Sequence, residues 1–211
     1  MQVEKKWNEQ KVFAAMLALI AWTTVVMQFF FSEGTAANFF SFFTIQCNML
    51  VAISCTCAAF FTGTAVGRFF TGLSTQTAIA LYIFIVALVY NTVLRGLVPL
   101  SGWNLFLDTM LHVVIPILYL LYWSLMRPKG NLEYRNGLYW VIFPMAYLIY
   151  SLIRGSIVHW YPYPFLNADK SGYTQVSINV AVMIVVFFIA GLILIAITRK
   201  LRNKEAMMSN E

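Results

Sequence analysis

Charge is scarce in this chain: Asp, Glu, Lys and Arg make up 10% of its 211 residues, while 61% are apolar. A water-soluble fold covers itself with charged side chains, normally about a quarter of its residues, so the expected solvent is lipid. Histidine is scarcer still. With only His112 and His159 in the sequence, a three-histidine zinc hydrolase site cannot be assembled, and no metal is expected. The three cysteines, Cys47, Cys55 and Cys57, share one apolar run. They form neither a disulfide framework nor a spaced ligand set, and read as small packing residues. No lysine falls inside an apolar run, which excludes a retinal Schiff base. A rhomboid-like GxSG motif is missing, the nearest string being Pro99-Leu100-Ser101-Gly102. No phosphate-binding glycine loop or dinucleotide fingerprint occurs either, so no cofactor is expected.

What the chain does have is apolar runs. They fall near 12–31, 38–62, 75–94, 105–126, 138–158 and 174–198, each close to the ~20 residues that a spanning helix needs. The predicted fold is all-α: a polytopic six-helix transmembrane bundle, one domain over 1–211. Small residues Thr35, Ala36 and Ala37 mimic a signal-peptide cleavage site, but the first run is long for a signal and reads as an uncleaved span. Pro116 and Pro144 sit inside spans four and five, where a kink and loosened backbone bonding are expected. Gly63 and Gly67 have small-residue packing spacing, at a span end.

Orientation follows from Lys and Arg, which cytoplasmic loops retain. Lys5, Lys6, Lys11, Arg68, Arg127, Lys129, Arg135, Arg199, Lys200, Arg202 and Lys204 collect on one side, and only Arg95, Arg154 and Lys170 on the other. Both termini are therefore expected to be cytoplasmic, which requires an even number of spans. The formal net charge of +6 is accounted for by this topology, and no nucleic-acid partner is expected.

Polar residues inside the spans gather in the half facing away from the cytoplasm. Span two carries Thr44, Gln46 and Asn48 early, span three Asn91 and Arg95 late, span four Asp108 and His112 early, and span five Tyr150 and Arg154 late. Thr44 with Asn48, Asn91 with Arg95, Asp108 with His112 and Tyr150 with Arg154 are spaced i, i+4, so each pair shares a helix face. At a rise of about 1.5 Å per residue, Thr44 and His112 lie at matching depths, roughly 10 Å below the outer ends of their spans. A charge there costs up to about 2.5–3.5 kcal/mol at the bilayer centre, so such groups face a protein interior. Each residue has a plainer reading beside the functional one. A membrane threonine ordinarily bonds its own backbone, a lone histidine can be a structural hydrogen-bonding group, and Arg95 and Arg154 can snorkel to headgroups. The Tyr and Trp residues around 160 read as interfacial anchors.

In the functional reading, Thr44 is a hydroxyl nucleophile and His112 its base, since a hydroxyl attacks an ester poorly until a base is in reach. Asp108 can orient the imidazole, Asn48 or Asn91 can donate to an oxyanion, and Arg95 or Arg154 can hold a substrate carboxylate.

The segments Phe42-Phe43-Thr44-Ile45-Gln46-Cys47-Asn48, Asp108-Thr109-Met110-Leu111-His112-Val113-Val114-Ile115-Pro116 and Tyr161-Pro162-Tyr163-Pro164-Phe165-Leu166 resemble those of the androgen-induced and androgen-dependent TFPI-regulating protein family. The string Tyr90-Asn91-Thr92-Val93-Leu94-Arg95-Gly96 looks like its prokaryotic six-span branch. The resemblance covers most of the chain in span count, order and spacing. It implies a multipass threonine hydrolase of fatty acid esters of hydroxy fatty acids, with Thr44 and His112 as the catalytic pair. It also implies membrane lipids and a lipid ester or fatty acid as partners, and a bacterial inner membrane as location. The alternatives are a small transporter or lipid-binding protein that uses the same polar layer without covalent chemistry, and a structural subunit of a larger complex. Oligomeric state is left open.

Overall fold

The computed structural model describes the backbone of residues 2–126 and 130–208, with side chains over 9–126 and 130–200. Arg127 and Lys129, and the side chains of Lys5, Lys6, Arg202 and Lys204, on which part of the orientation argument rests, lie outside the described residues. The chain is 84% helical, with no strand among the described residues. Among the described residues, six helical stretches are long and apolar enough to cross a bilayer: Glu9–Phe31, Phe43–Phe60, Leu73–Leu94, Gly102–Met126, Asn136–Val158 and Ala168–Lys200. The protein is thus an all-α, multipass integral membrane protein.

Contacts divide the chain into two compact units. The first, residues 1–40 and 44–129, holds the first four spans, which comprise α1 (Gln2–Phe31), α3 (Phe43–Phe60), α5 (Leu73–Val89) with a π-helical turn at Tyr90–Leu94, and α6 (Gly102–Thr109) joined by a second π-helical turn, Met110–Val114, to α7 (Ile115–Met126). Short helices α2 (Ala36–Phe40) and α4 (Ala65–Thr71) lie between them. Helix α1 buries Ala14, Leu17, Ala18, Ala21 and Val25, a stripe at helical spacing whose small members let α7 approach closely. Helices α5 and α7 pack together, burying Ile79, Ile83, Ile115, Tyr119 and Tyr122. Polar side chains also join spans: Trp22 Nε1 donates to Thr56 Oγ1 at 3.1 Å and Trp123 Nε1 to Thr77 Oγ1 at 3.0 Å. Such groups have no water to bond within a bilayer and find partners on neighbouring helices.

The second unit, residues 41–43 and 130–211, contains α8 (Asn136–Trp140), α9 (Ile142–Val158), a 3-10 turn at Pro164–Leu166 and α10 (Ala168–Met208). Pro144 stands in the first turn of α9, because the helix breaks at Val141 and restarts. A proline there forfeits no helical bond. Gly155 is required by a close approach: a Cβ on it would lie 2.1 Å from the Tyr161 ring. Helix α9 ends at His159, which takes a left-handed conformation while its Nδ1 lies 3.0 Å from Asp169 Oδ2. Near the start of α10, Gly172 at φ 74° and ψ 155° interrupts the helical path, and the apolar helical stretch begins at Ala168, ahead of the expected start near 174.

Span two differs from expectation. It was expected to run from 38, but α2 ends at Phe40 and α3 starts at Phe43. The local bonding explains the interruption. The Ser41 carbonyl accepts the Tyr147 hydroxyl at 3.0 Å, and the Phe40 carbonyl accepts Gln46 Nε2 at 2.9 Å. Side chains thus occupy the two consecutive carbonyls at the start of the break. The Gly63 and Gly67 pair makes no helix-packing face. Gly63 has open space around it, whereas a Cβ on Gly67 would sit 1.7 Å from the Phe61 carbonyl oxygen, in the tight turn that Thr64 caps.

Candidate active site

Three spans of the first unit, the second, third and fourth, deliver the site. Thr44 is the second residue of α3, so its depth cannot be counted from a helix start at 38. It nevertheless meets His112, with Oγ1 3.3 Å from Nε2. That is a long hydrogen bond, of the kind that tightens when a ligand is bound. Thr44 is 7% exposed, and the side chains of His112 and Asp108 are 13% and 15% exposed.

The tautomer of His112 follows from its partners. Nδ1 lies 2.9 Å from the Asp108 main-chain carbonyl oxygen and 3.1 Å from Asp108 Oδ1. A carbonyl oxygen can only accept, so Nδ1 carries the proton. In the neutral ring Nε2 is then left as an acceptor, aimed at the Thr44 hydroxyl. The i, i+4 spacing of Asp108 and His112 therefore produces a direct contact as well as a shared face.

The other carboxylate oxygen of Asp108 accepts a hydrogen bond from the Tyr90 hydroxyl. The Tyr90 ring stacks on the imidazole, with centroids 3.7 Å apart and planes inclined by 14°. Sequence reasoning missed Tyr90. It lies in an apolar run, and an aromatic residue there usually signifies packing. The usable signal was its place beside Asn91 at the outer end of a span.

Both π-helical turns belong to this site, one containing Tyr90 and Asn91 and the other His112. Such turns are uncommon and occur frequently at functional sites. The second has a clear local cause. Ile115 N–H bonds the Met110 carbonyl five residues back, which bypasses the Leu111 carbonyl, and Pro116 has no N–H to give Leu111 or His112. Two asparagines supply the missing donors. Asn48 Nδ2 bonds Leu111 O at 3.2 Å and Thr44 O at 2.8 Å, while Asn91 Nδ2 bonds His112 O at 3.3 Å and Ala87 O at 2.8 Å. The kink expected at Pro116 thus takes the form of a π turn stitched to its neighbours. The two amides considered as oxyanion donors are spent on main-chain carbonyls, where they fix the backbone bearing His112.

Arg95 Nη1 bonds Asn91 Oδ1 at 3.0 Å. Its side chain reaches a cavity of about 240 Å³ lined also by Tyr90, Asp108, Leu100, Leu105 and Val113. Arg154 belongs to the second unit, where its guanidinium lies 5.1 Å from the centroid of the Trp160 ring. Tyr150 there shares a 2.7 Å hydrogen bond with Ser41. Among the described residues no group of three or more His, Cys, Asp and Glu side chains could hold a metal ion. Comparison of the chain with protein-family models, curated proteins and solved structures gives no match.

Proposed function

We propose that this protein is an intramembrane hydrolase of lipid esters, related to the androgen-induced and androgen-dependent TFPI-regulating proteins through their prokaryotic six-span branch. The observation that carries this reading is the run of contacts from Thr44 Oγ1 to His112 Nε2 and from His112 Nδ1 to Asp108. It joins a hydroxyl, a base and an orienting carboxylate. Thr44 attacks the ester carbonyl as its proton passes to Nε2. Collapse of the tetrahedral intermediate expels the alcohol, which takes that proton from His112 and leaves an acyl-threonine. His112 then takes a proton from water, whose oxygen attacks the acyl carbonyl. The carboxylic acid leaves and Thr44 regains its proton. Thr44 stands in the first turn of α3, where the positive end of the helix dipole favours negative charge developing next to its hydroxyl.

In this reading both termini are cytoplasmic, the membrane is the bacterial inner membrane, and the acyl chain enters from the outer leaflet. Arg95, at the 240 Å³ cavity, suits a substrate carboxylate. One observation favours a second reading, a lipid-binding protein or small transporter: Asp108, Tyr90 and Arg95 line the cavity, while Thr44 and His112 do not. Turnover separates the two. Purified protein in detergent micelles, given long-chain 4-nitrophenyl esters, is expected to release nitrophenol with saturation kinetics at a rate that scales with protein concentration. Saturable ester binding with no release above the micelle blank favours the second reading.

A further inference from the structure

We infer that Tyr90 is a positioning residue for the His112 base, acting through Asp108. The inference rests on the hydrolase reading. Tyr90 touches both members of the pair at once: its hydroxyl donates to Asp108 and its ring covers one face of the imidazole. Each contact removes a different freedom. Asp108 Oδ1 accepts from His112 Nδ1 at 3.1 Å, so rotation of the carboxylate about its last bond would break that contact. The Tyr90 hydroxyl, bonded to the second oxygen, pins the rotation. The stacked ring in turn blocks the imidazole from tilting Nε2 away from Thr44.

The main chain supports the arrangement. Tyr90 opens the π-helical turn Tyr90–Leu94, in which Arg95 N–H bonds the Tyr90 carbonyl at 2.8 Å. Asn91, the next residue, bonds the carbonyl of His112. Consecutive residues of span three thus hold the side chain and the backbone of the same histidine. Neither contact brings Tyr90 to the nucleophile, so its effect on the chemical step passes through His112.

Two substitutions divide the role. Tyr90→Phe keeps the stacked ring and deletes the hydroxyl, whereas Tyr90→Leu deletes both. In the purified full-length protein, Tyr90→Phe is expected to lower kcat about tenfold with KM unchanged, and Tyr90→Leu about a hundredfold, within the range of a misaligned general base. Loss through Asp108 has its own signature: in an Asp108→Ala background, adding Tyr90→Phe should change kcat by less than about twofold, because the acceptor of the Tyr90 hydroxyl is already gone. Thermal melting of each variant separates this effect from a folding defect, and Tyr90→Phe is expected to melt with the parent. The inference is overturned if Tyr90→Phe matches the parent in kcat, or if its full loss persists beside Asp108→Ala. Thr44→Ala, measured in the same series, keeps the two levels apart: if Thr44→Ala is as active as the parent, the hydrolase reading itself fails.

Discussion

Thr44→Ala and His112→Ala are each expected to lower kcat for ester hydrolysis by about 10³-fold or more, with the double variant no worse than either alone. A nucleophile and its base act as one unit, so removing either removes the covalent route, and the second loss has nothing left to subtract. In the proposed mechanism the 3.3 Å contact between Thr44 Oγ1 and His112 Nε2 is what joins them into that unit. Two independent structural roles would give losses that multiply. Thr44→Ser is the informative companion: it keeps the hydroxyl and loses only a methyl group, so it retains measurable turnover. Steady-state rates of the four proteins, compared at matched folded fraction, decide between coupled and independent action.

Asn48→Leu is expected to damage both fold and activity. Asn48 is fully buried, and its amide spans from the Thr44 carbonyl on α3 to the Leu111 carbonyl in the π turn. Leucine has similar bulk and no donor. The Leu111 carbonyl, already deprived of a helical partner by the register of the turn and by Pro116, is then left unsatisfied in an apolar interior, at a cost of about 1–3 kcal/mol. Part of that loss is offset, because Asn48 Oδ1 has no hydrogen-bond partner and leucine removes that group too. Relaxation of the turn toward an α-helix restores the missing bond only by rotating His112 away from Thr44. Activity is therefore expected to fall by more than tenfold, beyond the loss of folded protein. Thermal melting together with the rate per folded molecule checks both parts, and a parent-like rate in a less stable protein would show that the π turn does not position the base.

The spans were legible because the physics that makes them is one-dimensional. A helix in lipid needs only an unbroken apolar length, and four of the six runs read from the sequence begin and end within a few residues of helices such as Gly102–Met126 and Asn136–Val158. The break before Phe43 was not legible, since it depends on Tyr147 and Gln46 reaching carbonyls of residues 40 and 41. Nothing in the string Phe39-Phe40-Ser41-Phe42-Phe43 marks it. The site was half legible. Helical spacing placed Asp108 on the face of His112 and identified a polar layer, but periodicity assumes an α-helix throughout, and both Tyr90–Leu94 and Met110–Val114 depart from it. Pro116 was the visible hint. The destination of its lost hydrogen bond, an asparagine on another span, is a fact of three dimensions. Tyr90 was hidden for the same reason: its partners Asp108 and His112 lie across the loop between spans three and four, and only their contact distinguishes it from a packing aromatic.

The central claim is that Thr44 is a nucleophile activated by His112, and its most direct test is to map where an ester-mimicking electrophile reacts. A long-chain fluorophosphonate is added to the purified protein, which is then digested and analysed by mass spectrometry. The account predicts one stable adduct, on the peptide containing Thr44, that is absent from Thr44→Ala and strongly slowed in His112→Ala. An unmodified Thr44 in folded protein, or labelling that proceeds at the parent rate without His112, would contradict it.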